Sequence, residues 1–226
     1  MNLQSMNLQS LYEYFARQKD GNWIIKPNNA IQLYKFIKEN SIRKILDLGT
    51  GIGCSASIVS LALKEKNENY HIDTIEQFDK CIELANKIIP PESKENITIH
   101  KSETAVWNTD KIPYQYFSIY DNLPELFDYD LIINDGPSPF MINGDYVDLP
   151  NGTTIKLLLE DKIKPKTFIA YDGRILSLQL LERYFSDNFY LIKPADTSNL
   201  TIIQRKYNPI IFKDEKLEFM KQAGYF

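Results

Sequence analysis

The stretch that most limits what this chain can become is Lys44-Ile-Leu-Asp-Leu-Gly49-Thr-Gly51-Ile-Gly53-Cys54. An apolar run (Ile45, Leu46, Leu48) ends in three closely spaced glycines, and apolar residues then recur at helical spacing through Ile58, Leu61 and Leu63. The pattern predicts a buried strand that bends over the glycines into a helix. Glycine removes the Cβ that would keep a ligand off the backbone, and the N–H groups at a helix start form the positive end of a dipole. The bend is therefore read as a nucleotide-type ligand site. The alternative is a glycine turn that serves only the chain itself.

A chain of 226 residues, 43% of them hydrophobic, can bury one sizeable core, so one domain with appendages is expected. Thirty acidic and 26 basic residues leave a net charge of −4, which predicts no overall attraction to nucleic acid or to an anionic membrane surface. No apolar run approaches the roughly 20 residues that span a bilayer. The start lacks the basic and apolar regions of a signal peptide, so the expected address is cytoplasmic. Cys54 and Cys81 have no metal-ligand spacing and are read as buried small hydrophobes rather than a disulfide or zinc pair.

Residues 1–10 repeat Met-Asn-Leu-Gln-Ser and are set aside from the fold as a duplication at the start. Helical spacing at Leu11, Tyr14, Phe15 and again at Ala30, Leu33, Phe36, Ile37 predicts two helices, an N-terminal extension over 1–40. The Trp23–Asn29 segment between them is read as a loop pinned by its aromatic residue, with folding over a ligand as the alternative. The ligand domain is expected over 41–206 and a tail over 207–226.

After a helix at about 54–66, His71-Ile-Asp-Thr-Ile-Glu76 reads as a second strand with an acidic end. Glu76 lies 25 residues beyond Gly51, the spacing at which a carboxylate meets an adenosine ribose in a βαβ unit, where its oxygens accept from both hydroxyls. A helix at about 78–89 stops at Pro90-Pro91, and 96–101 gives a third strand followed by Ser102 and Glu103. These two are candidates for an adenine amino group, and Ser102 equally for a helix cap. Residues 104–127 are aromatic and without period, and no chemistry is assigned to them.

A fourth strand, 129–134, delivers Asp135-Gly136-Pro137, and a fifth, 167–171, delivers Asp172-Gly173-Arg174. Strand C-terminal edges are where open α/β sheets bind ligands. The connection from Gly136 to Gly152 carries two Asn-Gly steps, which predict a hairpin-like flap over that edge, with Asp145 and Tyr146 as substrate contacts. Arg174 is read first as the partner of a neighbouring carboxylate and second as an anion binder. A helix over 175–185 and strands at 188–192 and 200–204 complete the pattern. The tail, with Ile210, Phe212, Leu217, Phe219 and Phe226 among its apolar residues, is expected to dock on its own domain or on a second subunit.

Spacing alone fits two cofactors. Gly51-Ile-Gly53-Cys-Ser-Ala56 matches the dinucleotide pattern as well as Asp47-x-Gly49-x-Gly51-x-Gly53 matches the first motif of class I S-adenosylmethionine (SAM) methyltransferases. Charge favours the second, because Asp47 would repel a pyrophosphate and attract the ammonium group of SAM. Together with Glu76, the Asp-Leu-Ile-Ile-Asn-Asp135 strand and Asn199-Leu-Thr-Ile-Ile-Gln-Arg205, these residues make the chain resemble that family over about 30–206. The resemblance implies an α/β Rossmann-like sheet of seven mostly parallel strands, the last antiparallel, with helices on both faces. It implies a SAM site drawn from Asp47, Gly49, Thr50, Gly51, Gly53, Glu76, Gln77, Ser102, Glu103 and Asn134, with Asp47 on the amino group, Glu76 on the ribose and Ser102 or Glu103 on the adenine.

Asp135 and Asp172 look like the positions where metal-dependent O-methyltransferases of this class place carboxylates. They are the candidate catalytic pair and, with waters, candidate Mg²⁺ ligands that would hold a substrate hydroxyl. Catechol-type members follow the second Asp with Asn, whereas Gly173 supplies no ligand. In the metal-free version Asp135 is the general base. The expected reaction is methyl transfer to a hydroxyl of a small molecule, a sugar or glycan precursor being one candidate. An NAD-dependent oxidoreductase and a SAM-binding subunit without activity are the alternatives. A base-amine methyltransferase is disfavoured because Asn134-Asp135-Gly136-Pro137 lacks the Pro-Pro-aromatic sequence, and aminopropyl transfer because of the glycine-turn context.

Overall fold

A computed structural model describes residues 7–67, 69–125, 128–137, 140–142, 145–147, 149–193 and 200–210. The tail over 211–226 and the Asn143-Gly144 step lie outside them.

The first helix, α1 (Leu8–Ala16), starts inside the duplicated segment. The Asn7 side chain accepts from Ser10 N at 2.9 Å while Ser10 Oγ accepts from Asn7 N at 3.1 Å, a reciprocal cap that satisfies two helix-end donors. Leu11 and Phe15 are fully buried one and two turns on. Residues 7–10 of the second copy thus cap and open a helix, where the duplication was expected to stand apart from the fold. Pro27 opens α2 (Pro27–Glu39), where its fixed φ and missing N–H are no loss. Between the two, Trp23 is 83% exposed, and Ile25 is the buried anchor. The aromatic residue thus does not pin this loop.

The main sheet is laid down by β1 (Lys44–Leu48), α3 (Cys54–Lys64), β2 (His71–Glu76), α4 (Asp79–Ile88), the single turn α5 (Pro91–Lys94) and β3 (Ile97–Lys101). Next comes an antiparallel ribbon, β4 (Thr104–Thr109) with β5 (Ile112–Tyr120), bulged at Asn108/Thr109. Then follow β6 (Leu131–Asn134), a small hairpin β7 (Phe140–Ile142) with β8 (Asp145–Val147), α6 (Thr153–Leu159), β9 (Phe168–Asp172), α7 (Ile175–Phe185), β10 (Phe189–Lys193) and β11 (Leu200–Arg205). The seven-stranded order is β10-β11-β9-β6-β1-β2-β3. β11 runs antiparallel to both neighbours, and the pairs from β9 to β3 are all parallel. This is the expected sheet, including the antiparallel last strand.

Alternation along the strands splits the core. Ile45, Ile72, Ile133, Ala170 and Ile202 pack with α1, α2 and α3 on one face. Leu46, Ile75, Ile132, Ile169 and Ile203 pack with α6, α7 and the ribbon on the other. Burial on both faces is why these strands read as continuous apolar runs. Crossovers between parallel strands are usually helical. From β3 to β6, however, the ribbon covers the sheet, burying Ile112, Phe117 and Ile119 and resting Trp107 on Phe117 at 5.4 Å. The flap is present as the β7–β8 hairpin.

Candidate functional site

β1 is central, so its C-terminal end opens between β2 and β6. The three glycines of the bend all have positive φ. Gly49 and Gly53 are there for close packing: a Cβ on Gly49 would meet Gly136 N at 2.9 Å, and one on Gly53 would run into Ile89. Nothing lies within 4 Å of a Cβ on Gly51, so this glycine alone faces open space. Gly49 N and Thr50 N donate to Ile75 O at 3.1 and 3.0 Å, pinning the bend to β2. Thr50 also turns its hydroxyl inward onto Thr74, 2.7 Å away, and so braces the bend. α3 then begins at Gly53 without a side-chain cap, leaving its N-terminal dipole pointing into the opening.

Under that helix start Asp47 is fully buried. Its Oδ2 accepts from Ser55 Oγ at 2.7 Å and, weakly, from Thr74 Oγ1 at 3.4 Å. Among the described residues no donor reaches its Oδ1, which is also buried. Burial pushes the Asp47 carboxyl up to about 7; Ser55 pulls against this and the nearby Asp135 adds to it. A buried carboxylate oxygen without a donor is costly, so Oδ1 of Asp47 is the acceptor at this edge that the described residues leave to be filled. Glu76, at the end of the neighbouring strand, accepts from Gly51 N at 2.8 Å on Oε2 and from Gln77 N and Phe78 N at 2.8 and 3.0 Å on Oε1. Burial raises its pKa, and those three amides oppose the rise. Oε1 is thereby filled, and Oε2 keeps a further lone pair for a hydroxyl.

Two elements away the second carboxylate pair is in place. Arg174 Nη2 donates to Asp135 Oδ1 at 3.2 Å and to the Asp135 carbonyl. Burial raises Asp135 to about 6 against the pull of Arg174, with Asp172 and Glu76 adding to the rise. Asp172, the last residue of β9, accepts on Oδ1 from Asn29 at the start of α2, so the N-terminal extension is fastened to the ligand edge. Tyr120 stands in the midst of these groups. It is buried, a side chain on Gly136 would strike its hydroxyl, and Glu76, Asp135, Asp47 and Arg174 all act on its ionisation. Burial keeps it a neutral hydroxyl.

Several sequence candidates have other duties. Asn134 is fully buried, accepting from Asn151 Nδ2 at 2.7 Å and donating to Thr154 Oγ1 at 3.3 Å. Ser102 is buried too; its hydroxyl accepts from Asn122 N and donates to Glu103 O, each at 2.9 Å, so it ties the ribbon to β3 instead of meeting an adenine. The Glu103 side chain is 76% exposed and lies 3.9 Å from Lys101. Cys54 is buried as expected, whereas Cys81 is only partly so.

The residues present do not fit a Mg²⁺ ion. The guanidinium of Arg174 already sits on Asp135, Asn29 already sits on Asp172, Gly173 offers no side chain, and among the described residues no three carboxylate, imidazole or thiol groups converge. A divalent ion would have to displace Arg174 from Asp135 and Asn29 from Asp172 before it could use the two carboxylates. Asp135 and Asp172 are thus brought together, but not as a metal site. Sequence reasoning missed Ser55, Asn29 and Tyr120; only Tyr120, a polar aromatic where the period failed, left any trace.

At the level of sequence no family profile and no curated protein matches the chain. Solved structures do. The chain is 16% identical to the O-methyltransferase TomG of Streptomyces achromogenes, determined with SAM, over 88% of this chain and 89% of that one, with a TM-score of 0.55. It is 13% identical to the S-adenosylhomocysteine (SAH)-bound methyltransferase PaMTH1 of Podospora anserina, over 88% and 87%, with a TM-score of 0.54. It is 12% identical to the SAH-bound O-methyltransferase of Bacillus cereus, over 88% and 90%, also at 0.54. The chain shares the fold of these methyltransferases. Among the described residues no helix is long and apolar enough to cross a membrane.

Proposed function

We propose that the chain is a SAM-dependent methyltransferase acting on a hydroxyl of a small molecule, with Asp135 as general base. The observation that carries this is the buried Oδ1 of Asp47, without a donor among the described residues, beside an uncapped helix start. An amino acid ammonium meets the first of these and its carboxylate the second. Glu76 lies where the ribose hydroxyls follow, and SAM or SAH occupies the three related folds named above.

The reaction is an in-line displacement. The acceptor O–H bond breaks with its proton passing to Asp135, the oxygen bonds to the methyl carbon, and the S–CH₃ pair returns to sulfur, leaving neutral SAH. Such chemistry asks chiefly for alignment and one proton acceptor. Asp135, raised to about 6, is a base of useful strength near neutrality, and Arg174 fixes its Oδ1 so that Oδ2 faces the acceptor. The acceptor class we favour is a small polyhydroxylated molecule, such as a sugar or glycan precursor, acted on in the cytoplasm. The net charge of −4 disfavours nucleic acid.

Calorimetry with SAM, SAH and NAD⁺ tests the cofactor. SAM and SAH should bind and NAD⁺ should not, and Asp47→Asn should weaken SAH at least tenfold, the loss expected when an ionic hydrogen bond becomes a neutral one. Binding of NAD⁺ alone would overturn the reading. Asp135→Asn should keep SAH affinity and lose methyl transfer from labelled SAM to any acceptor the wild type uses.

A further inference from the structure

The geometry points to Arg174 as the resident cation of the acceptor site, standing where a metal-dependent relative would hold a divalent ion, so that methyl transfer here needs no metal. The inference rests on the methyltransferase reading above. Three contacts carry it. Arg174 Nη2 lies 3.2 Å from Asp135 Oδ1 and also donates to the Asp135 carbonyl, tying the β9–α7 turn to the end of β6. Asp172 is held from the other side by Asn29, a residue of the N-terminal extension. Arg174 Nε is buried, and no acceptor reaches it among the described residues. The guanidinium therefore neutralises one of the two carboxylates and keeps one N–H for an oxygen that the described residues do not supply.

That oxygen is the acceptor's. As its proton passes to Asp135, negative charge grows on it, and a fixed guanidinium beside it stabilises that charge without a Lewis acid. Gly173, with φ +68°, makes the turn that brings Arg174 back over Asp135.

The test is Mn²⁺ titration of the full chain in saturating SAH, followed by electron paramagnetic resonance. The wild type should show no saturable Mn²⁺ site up to millimolar concentration. Arg174→Ala, which frees Asp135 and removes the cation beside the pair, should gain one, with affinity at least tenfold above the wild type, and Arg174→Ala with Asp135→Asn should lose it again. Gain of a metal site is a change that loss of mere structural support would not produce. SAH binding in every variant shows that the methyl-donor site is intact, and Arg174→Gln replaces Arg174→Ala if the latter fails to bind SAH. A saturable Mn²⁺ site in the wild type that Asp135→Asn removes overturns the inference, as does an SAH-competent Arg174 variant that takes up no Mn²⁺. Failure of the wild type to bind SAH would instead sink the methyltransferase reading, and the Mn²⁺ result would still report on Arg174.

Discussion

At the scale of single residues, the decisive group is Asp47. A carboxyl raised to about 7 is mostly protonated at pH 6, yet an ammonium on its Oδ1 requires the anion. Binding of SAH at pH 6 should therefore release close to one proton, and at pH 8 almost none. The affinity should fall as the pH drops below 7. Calorimetry in two buffers of different ionisation enthalpy counts the protons directly, and equal counts at both pH values would remove Asp47 from the ammonium site. The sequence puts this aspartate two residues before the first glycine, and the strand β1 carries it there. It could not show that Ser55 and Thr74 share one oxygen and leave the other bare, because that depends on where α3 lands over β1. Arg174 against Asp135 was open from sequence alone for the same reason: 39 residues separate the pair, and only the sheet order makes them neighbours.

At the scale of elements, the central strands β1, β2, β6 and β9 were legible because they are largely buried and run into glycine or an acidic residue. The β4–β5 ribbon was not. Its two-residue period is broken by the bulge at Asn108/Thr109, and its aromatics are divided between a buried Phe117 and an exposed Tyr116. Exposed Trp23 misled in the opposite direction, since a large apolar residue is usually an anchor. The first helix gives a sharp test of what had been set aside. Asn7→Ala removes one half of a reciprocal cap and should lower stability by about 1 kcal/mol. Deleting residues 1–10 should destabilise further by exposing the buried faces of Leu11 and Phe15. A melting temperature unchanged by both would show that α1 contributes nothing to the fold. Because α2 carries Asn29 to Asp172, loosening this extension should also weaken acceptor use more than SAH binding.

At the scale of the whole molecule, four carboxyls at one sheet edge set the pH dependence of stability. Asp47 and Asp135 are raised to about 7 and about 6, and Glu76 and Asp172 are raised as well, burial being the first cause in each. A raised carboxyl binds its proton more tightly folded than unfolded, so between about pH 4 and 7 the folded chain holds more protons and stability must fall as pH rises. Asp73 works the other way. His100, Tyr129 and His71 outweigh its burial and hold it below the usual range, so its contribution is present above about pH 4 and is lost in acid. The protein without cofactor should therefore melt highest near pH 5 and lower at pH 7.5. Asp47 alone, titrating about three units above its unfolded value, accounts for about 2 to 3 kcal/mol of the difference between pH 5 and pH 7.5. An ammonium on Oδ1 replaces the proton, so saturating SAH should reduce the decline by the share of Asp47, and Asp47→Asn should reduce it likewise without any ligand, the remainder being that of Asp135, Glu76 and Asp172. Melting curves at pH 5 and 7.5 for the two proteins, with and without SAH, decide the matter. A wild-type chain equally stable at both pH values would mean that the ligand edge stores no such repulsion, and that the bare oxygen of Asp47 is satisfied from within the fold.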